Sequence, residues 1–261
     1  MAKIAIIGGG VMGSALAKTL VDENFSVIVS DPDQNKLKKI EKPIETTNKN
    51  PEAAYQANVI ILAVKPQEID NVFNELKHLE LKNRLIISIA AGVSIAKIQK
   101  GLKAQAIIRA MPNTPAVIAA SATAFFANAE TTPEQIEIAE SVLGTFGLVV
   151  RVKSEDELDM ITAVSGSGPA YFFLFCEELI KAAEKIGLNP EIARKLVLQT
   201  AIGSADLAQN SEDNISTLRE KVTSKGGTTA AALDIFAKNK FGEVIEKAVE
   251  AAYKRAKELG K

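Results

Sequence analysis

Residues 3–31 read KIAIIGGGVMGSALAKTLVDENFSVIVSD. Lys3 to Ile7 is a short apolar, β-rich run. Val11 to Val21 has helical spacing, with Leu16 and Leu20 four apart, and Phe25 to Ser30 is a second β-rich run. Between strand and helix lies Gly8-Gly9-Gly10-Val11-Met12-Gly13, a G-x-G-x-x-G pattern. Alone the pattern is weak, but here it follows a strand and opens a helix, the context of a dinucleotide site. Gly8 permits the tight turn, Gly10 lets backbone approach a pyrophosphate, and Gly13 lets helix and strand pack closely. Val11 and Met12 begin the helix whose N–H groups and positive dipole end favour phosphates. Asp31 ends the second strand, 18 residues after Gly13, where an acid bonds the ribose 2′-hydroxyl of NAD. It would repel a 2′-phosphate, yet Lys36, Lys38 and Lys39 lie nearby. NAD is favoured and NADP stays open.

Further along, Val59 to Val64, Leu85 to Ile89, Ala106 to Ala110, Ala122 to Phe126 and Leu148 to Val152 are apolar throughout rather than alternating. Such runs suit strands buried on both faces of a parallel sheet. Helical stretches lie between them, near Pro66 to Leu76, Ser94 to Lys100 and Pro133 to Leu143. The last opens with Thr132 as N-cap, Pro133 at N1 and Gln135 at N3. The fold class is therefore an α/β, Rossmann-like doubly wound sheet, followed by an all-α C-terminal domain. After about Glu155 no convincing strand recurs. Pro169 to Ile186, Glu191 to Leu207, Thr228 to Ala237 and Phe241 to Leu259 read as helices. The expected division is 1–156 for the dinucleotide domain and 157–261 for the helical domain. The helix from Pro169 is apolar nearly all round (Tyr171, Phe172, Phe173, Leu174, Phe175, Leu179, Ile180). A small domain cannot easily cover such a helix: it is either a central core helix or, the favoured reading, packs in part against another subunit.

At 261 residues, 47% hydrophobic and 24% charged, the chain is an ordinary globular protein of one to two domains. A net charge of −1 lacks the basic excess of a nucleic-acid binder, so no nucleic-acid partner is expected. No apolar segment is long enough to span a bilayer. The apolar N-terminus is broken by Gly8 to Gly10, against a secretion signal. A lone Cys176 adds a cytoplasmic expectation. One cysteine and one histidine, His78, leave no metal-spaced set, so no metal is expected. His78 sits in a polar stretch past a helix and reads as a solvated residue. Cys176 reads as a small hydrophobe. Asp156, Glu157 and Asp159 read as a solvated helix start. An oxidoreductase built on this chain therefore lacks an obvious acid–base residue.

Two glycine-rich polar stretches precede helices in the second half: Val164-Ser165-Gly166-Ser167-Gly168-Pro169-Ala170 and Thr223-Ser224-Lys225-Gly226-Gly227-Thr228-Thr229. Each offers backbone N–H groups to an anion. Together with a dinucleotide domain they point to a small carboxylate substrate. Thr228 and Thr229 add hydroxyls.

At these residues the chain resembles the pyrroline-5-carboxylate reductase family, over nearly its whole length. The most specific stretch is Leu218 to Leu233, LREKVTSKGGTTAAAL. Others are Ala63 to Gln67 (AVKPQ), Ser88 to Ser94 (SIAAGVS), Arg109 to Ala116 (RAMPNTPA) and Thr162 to Tyr171 (TAVSGSGPAY). Ala237 departs from the family pattern where a polar residue is usual. Asp31-Pro32 departs where many members carry a neutral residue and Arg, which bears on the choice of cofactor and not on the reaction.

The resemblance implies reduction of 1-pyrroline-5-carboxylate to L-proline by hydride from NAD(P)H, the last step of proline biosynthesis. It implies that Gly226, Gly227 and Thr228 present amides to the substrate carboxylate, with Ser224 nearby, and that the Thr229 hydroxyl faces the ring nitrogen. Ser165 to Ala170 would lie near the nicotinamide. Ala63, Val64, Lys65 and Pro66 would border the cofactor cleft, and Asn113, in the matching MPNTP turn, would join them in binding the cofactor. It also implies a homo-oligomer: intertwined dimers, often assembled into decamers, in which the substrate loop can come from the partner subunit. The rivals are a two-domain reductase of the β-hydroxyacid or prephenate dehydrogenase type and a non-catalytic NAD(P) sensor. The former usually carries a catalytic Lys or His on the first long helix after the Rossmann domain. Here that helix has only Lys181 and Lys185, on its distal part.

Overall fold

The computed structural model describes residues 3–259. In chain order the elements are β1 (Lys3–Ile7), α1 (Val11–Asp22), β2 (Ser26–Ser30), α2 (Gln34–Leu37), β3 (Glu45–Thr47), α3 (Asn50–Gln56), β4 (Val59–Leu62), α4 (Ile69–Leu76), β5 (Leu85–Ser88), α5 (Ile95–Leu102), β6 (Ala106–Met111), β7 (Ser121–Ala127), α6 (Pro133–Gly144) and β8 (Gly147–Arg151). Helices follow: α7 (Glu155–Ile161), a π turn (Thr162–Gly166), α8 (Gly168–Lys185), α9 (Pro190–Gln209), α10 (Ile215–Lys221), α11 (Thr228–Lys238) and α12 (Phe241–Leu259).

The eight strands form one sheet in the order β3-β2-β1-β4-β5-β6-β7-β8. Successive side chains of a strand point to opposite faces. Ile4, Ile6, Val27, Val29, Ile61 and Ile87 pack on one face with Leu16 and Leu20 of α1 and Val142 and Leu143 of α6. Ala5, Ile7, Ile28, Ile60, Leu62 and Ile86 pack on the other with Ala53, Ile69, Phe73 and Ile98. This two-sided burial is why the strands read as unbroken apolar runs. The α6 start is as expected: Thr132 accepts from the Gln135 amide and Gln135 Oε1 from the Thr132 amide.

The sheet is parallel except between β6 and β7, which pair antiparallel. Their connection, residues 112–120, is too short for the crossover a parallel neighbour needs. The sequence reading missed β3, α2, α3 and α10. β3 is a three-residue polar edge strand, exposed or half-exposed along its length, so no apolar run marks it. The stretch read as a glycine-rich loop from Val164 is instead largely helical, as the π turn between α7 and α8. Asn113 Nδ2 donates to the Ser165 carbonyl at 3.2 Å, and the Asn113 amide stands against that widened turn.

The chain divides into two compact units. One runs to Pro169 and takes in the chain from Ala251 onward; the other is Ala170–Glu250. In the first unit, the end of α12 is tied to the start of α7: Lys257 reaches Asp156 at 2.7 Å and Tyr253 donates to the same carboxylate at 3.1 Å. The Lys257 hydrogen bond holds the Asp156 carboxyl below its ordinary range, with Tyr253 adding a smaller share. Leu259 packs against Gly92, where an added Cβ would lie 2.7 Å from the Leu259 carbonyl carbon.

The second unit exposes much of its apolar surface. Phe172 is 72% and Phe173 68% exposed, and Leu174, Leu196, Ile202 and Val244 are also open. Between α8 and α12 lies a groove of about 480 Å³ lined by Tyr171, Phe175, Leu179, Phe236, Phe241 and Ile245. Among the described residues, no helix is long and apolar enough to cross a membrane.

Candidate active site

The strand order reverses between β1 and β4, which are neighbours although β2 and β3 intervene in sequence. Ligands of open α/β sheets bind at the carboxyl ends of strands at such a switch point. There a cleft of about 470 Å³ is lined by Gly8, Gly10, Asp31, Ala63, Val64 and Lys65, all expected from the sequence. Lys36, Asn50, Glu68 and Glu75 also line it. Pro66 opens the 3₁₀ turn Pro66–Glu68 that follows β4.

The glycine loop is built for close approach. Gly8 has φ +114°, and a Cβ there would lie 2.6 Å from the Ala63 carbonyl oxygen. A Cβ at Gly13 would lie 1.9 Å from the Gly8 carbonyl oxygen and 3.3 Å from Ile6, so α1 rests directly on its own loop. At Gly10 a Cβ would meet no protein atom within 4 Å. The protein itself does not require glycine at that position, which leaves open space beside the loop. Gly10 is the N-cap of α1, no side chain caps it, and the first turn has no acidic residue. Val11 is exposed and Met12 half-buried in that first turn. The helix start therefore offers open N–H groups to phosphate. This donor set fits the pyrophosphate of a dinucleotide.

Asp31 is buried and heavily engaged. Its Oδ2 accepts from the Gly9 amide at 2.9 Å and its Oδ1 from the Asp33 amide at 2.9 Å. Lys36 Nζ lies 3.0 and 3.2 Å from the two oxygens. The sequence placed Lys36 only among the neighbouring cations. Asn50, absent from the sequence reading, accepts from the Ser30 hydroxyl at 2.7 Å and donates to Glu75 at 2.9 Å. Its only sequence signal is a polar residue ahead of Pro51 at a helix start.

Farther along the same edge of the sheet, Asn113 has its amide fully used. Nδ2 donates to the Ser165 carbonyl, and Oδ1 accepts from the Ser121 hydroxyl and the Ala122 amide, both at 3.1 Å. Asn113 thus joins the MPNTP turn, β7 and the π turn. Beneath it, buried Arg109 pairs with Glu155 at 3.2 Å and Asp159 at 2.6 Å. Glu155 Oε1 also accepts the Ile95 amide at 3.0 Å. Two of the acids expected to form a solvated helix start around α7 are therefore occupied: Asp156 by Lys257 and Asp159 by Arg109. His78 is exposed just past α4, and Cys176 is half-buried in α8. No cluster of three potential metal ligands occurs among the described residues.

In the second unit, Ser224, Gly226, Gly227, Thr228 and Thr229 lie at the start of α11. Gly227 is its N-cap with no side-chain cap, and the first turn has no acid. Gly226 turns at φ +71°, and the Gly227 amide donates to the Ser224 carbonyl at 3.0 Å. Thr229 is half-exposed. Because it sits in the first turn, its hydroxyl has no carbonyl of its own helix to bond.

The comparisons with known proteins agree with both halves. Residues 155–259 match the family model for pyrroline-5-carboxylate reductase dimerisation. Residues 3–92 match the model for coenzyme F420-dependent NADP oxidoreductases. A pyrroline-5-carboxylate reductase of Synechocystis sp. is 42% identical, with 99% of this chain and 98% of the relative covered. That of Pseudomonas aeruginosa is 40% identical over 98% of this chain and 96% of the relative. The structure of a Coxiella burnetii pyrroline-5-carboxylate reductase superposes with a TM-score of 0.92 at 41% identity, covering 100% and 99% of the two chains. A Plasmodium falciparum pyrroline carboxylate reductase with NADP bound gives 0.90 at 32% identity, over 100% and 98%. A prephenate dehydrogenase of A. aeolicus gives 0.55 at 16% identity over 96% and 94%, a likeness of fold alone. Identity of 40–42% over essentially the full length of these curated relatives leaves one assignment: the chain belongs to the pyrroline-5-carboxylate reductase family.

Proposed function

We propose that this protein reduces 1-pyrroline-5-carboxylate to L-proline with hydride from NAD(P)H, and that it does so as a homo-oligomer in the cytoplasm. The observation that carries the reading is the LREKVTSKGGTTAAAL stretch, folded as an uncapped helix start bearing two threonines, in a chain of this family. Residues 1–156 serve as the dinucleotide domain and 157–261 as the substrate and dimerisation domain, although 157–169 and the chain from Ala251 belong to the first compact unit. The family match over 155–259 supports that division.

The bound cofactor supplies the hydride. The protein's part is to bind, orient and exclude water. Gly8, Gly10, Val11, Met12 and Gly13 hold the pyrophosphate, Asp31 the ribose, and Ala63 to Pro66 border the cleft. Asn113 acts through the backbone it joins. Gly226, Gly227 and Thr228 bind the substrate carboxylate through backbone amides, with Ser224 beside them. The Thr229 hydroxyl accepts the N–H of the protonated ring imine. Hydride addition to the imine carbon moves the C=N π pair onto nitrogen, which already has its proton, and the product is the amine. No side chain has to supply a proton, which fits the shortage of acid–base candidates.

The test is NADH and NADPH oxidation with pyrroline-5-carboxylate, side by side, with proline measured as product. Oxidation that depends on the imino acid is expected. Cofactor binding without turnover would instead favour a sensor.

The exposed apolar surface of the second unit supports the homo-oligomer, because a patch of that kind is costly to leave in water. A dimer at minimum is expected, and sedimentation should show no stable active monomer at micromolar concentration. A fully active monomer would overturn this.

A further inference from the structure

We propose that Lys36 decides between the two nicotinamide cofactors: it is the displaceable counter-ion of Asp31 and the residue that admits a 2′-phosphate. The proposal rests on reading the cleft at Gly8 to Gly10 as the NAD(P)H site. An ionised carboxylate has about four lone-pair positions. At Asp31 these are met by the Gly9 amide, the Asp33 amide and the Lys36 ammonium, which reaches both oxygens. The two amides belong to the glycine loop and to the turn before α2, and the backbone fixes them. Lys36 is different. Its side chain is 47% exposed, whereas that of Asp31 is 5% exposed, and Asp31 is its only ion-pair partner among the described residues. A ribose that bonds Asp31 therefore has one donor to displace, and that donor is Lys36.

The displaced ammonium stays at the rim, because Lys36 and Asp31 line the same cleft. The outcome then depends on the ribose. With a 2′-hydroxyl, Asp31 gains the hydroxyl and Lys36 is released to water. With a 2′-phosphate, Asp31 alone would repel the ligand, but Lys36 can leave Asp31 for the phosphate as a point charge on a flexible stem. Asp31 by itself reads as a filter for NAD. Asp31 with Lys36 attached is a filter whose charge can be turned over by the ligand. Lys38 and Lys39, two and three residues farther on, do not line this cleft.

The test uses the full chain and two probes that lack the nicotinamide, adenosine 2′,5′-bisphosphate and 5′-AMP, with affinities measured by calorimetry. Lys36→Gln should weaken the bisphosphate on the order of 10- to 100-fold, the range for loss of a charge-assisted contact. It should leave 5′-AMP unchanged or tighter, because Asp31 is then unmasked. Lys36→Arg keeps the charge and should hold the bisphosphate within a few-fold of the parent. An unchanged ratio of the two affinities in Lys36→Gln would overturn the role of Lys36 alone. An equal loss for both probes would also overturn it, since Lys36 would then only shape the loop. If neither probe binds the parent protein, the assignment of the cleft fails, and Lys36 with it.

Discussion

Gly13→Ala is expected to weaken dinucleotide binding at least about 100-fold while the chain stays folded. The added methyl would sit 1.9 Å from the Gly8 carbonyl oxygen and 3.1 Å from its carbon. Both are backbone atoms, so no side chain can swing away. Either α1 lifts from β1 or the Gly8 peptide turns. Leu16 and Leu20 are fully buried and anchor α1 in the core, so the loop gives way first. Overpacking of this kind costs about 1–3 kcal/mol. Stability therefore falls without being lost. On the proposed reading, however, loop and helix amides hold the phosphates, and hydrogen bonds to charged groups contribute about 1.5–3 kcal/mol each. Losing two of them weakens NAD(P)H at least about 100-fold at about 1.4 kcal/mol per decade. Gly10→Ala is the control, because its methyl would meet no protein atom within 4 Å. Its melting temperature should match the parent, while cofactor binding still weakens because only the ligand meets the methyl. NADH fluorescence titration and thermal melts read the two effects separately. Gly13→Ala with a cofactor affinity within tenfold of the parent would remove the loop from the site.

The features readable in the sequence were those set by local pattern or by burial on both faces. Ile4 to Ile7 is apolar throughout because the sheet is covered on both sides, and Thr132 to Gln135 is a capping box whose every partner lies within four residues. β3 escaped because an edge strand of Glu45, Thr46 and Thr47 buries nothing that a hydrophobic pattern records. The Asp31–Lys36 pair is local, but sequence cannot say which of three nearby lysines turns inward. The Arg109 network is the opposite case: its carboxylates lie 46 and 50 residues downstream, so nothing short of the fold brings them together. Asn113 was placed at the site by resemblance alone, and its contacts with Ser121, Ala122 and Ser165 are not visible in a linear motif. The uncapped helix start at Thr228 was legible because its glycines and threonines are consecutive.

Thr229→Ala and His78→Ala carry opposite expectations, and together they test the chemistry. Thr229 stands in the first turn of α11, half-exposed, with no hydrogen-bond partner for its hydroxyl among the described residues. If that hydroxyl accepts from the ring nitrogen, its partner is cationic until hydride arrives. A hydrogen bond to a charged group contributes about 1.5–3 kcal/mol, so Thr229→Ala should lower kcat/KM roughly 10- to 150-fold. Cofactor affinity should barely move, because the glycine loop and Asp31 are untouched. His78 is exposed past α4, outside the residues that line the cofactor cleft. The substrate brings its own proton, so His78→Ala should leave kcat/KM close to the parent value. A true general acid contributes roughly 10²–10⁴-fold, so its loss would be plain in steady-state assays. A nearly silent Thr229→Ala would remove the proposed nitrogen contact. A collapse of activity in His78→Ala would show that the enzyme must deliver a proton, and the account of an imine that arrives already protonated would be wrong.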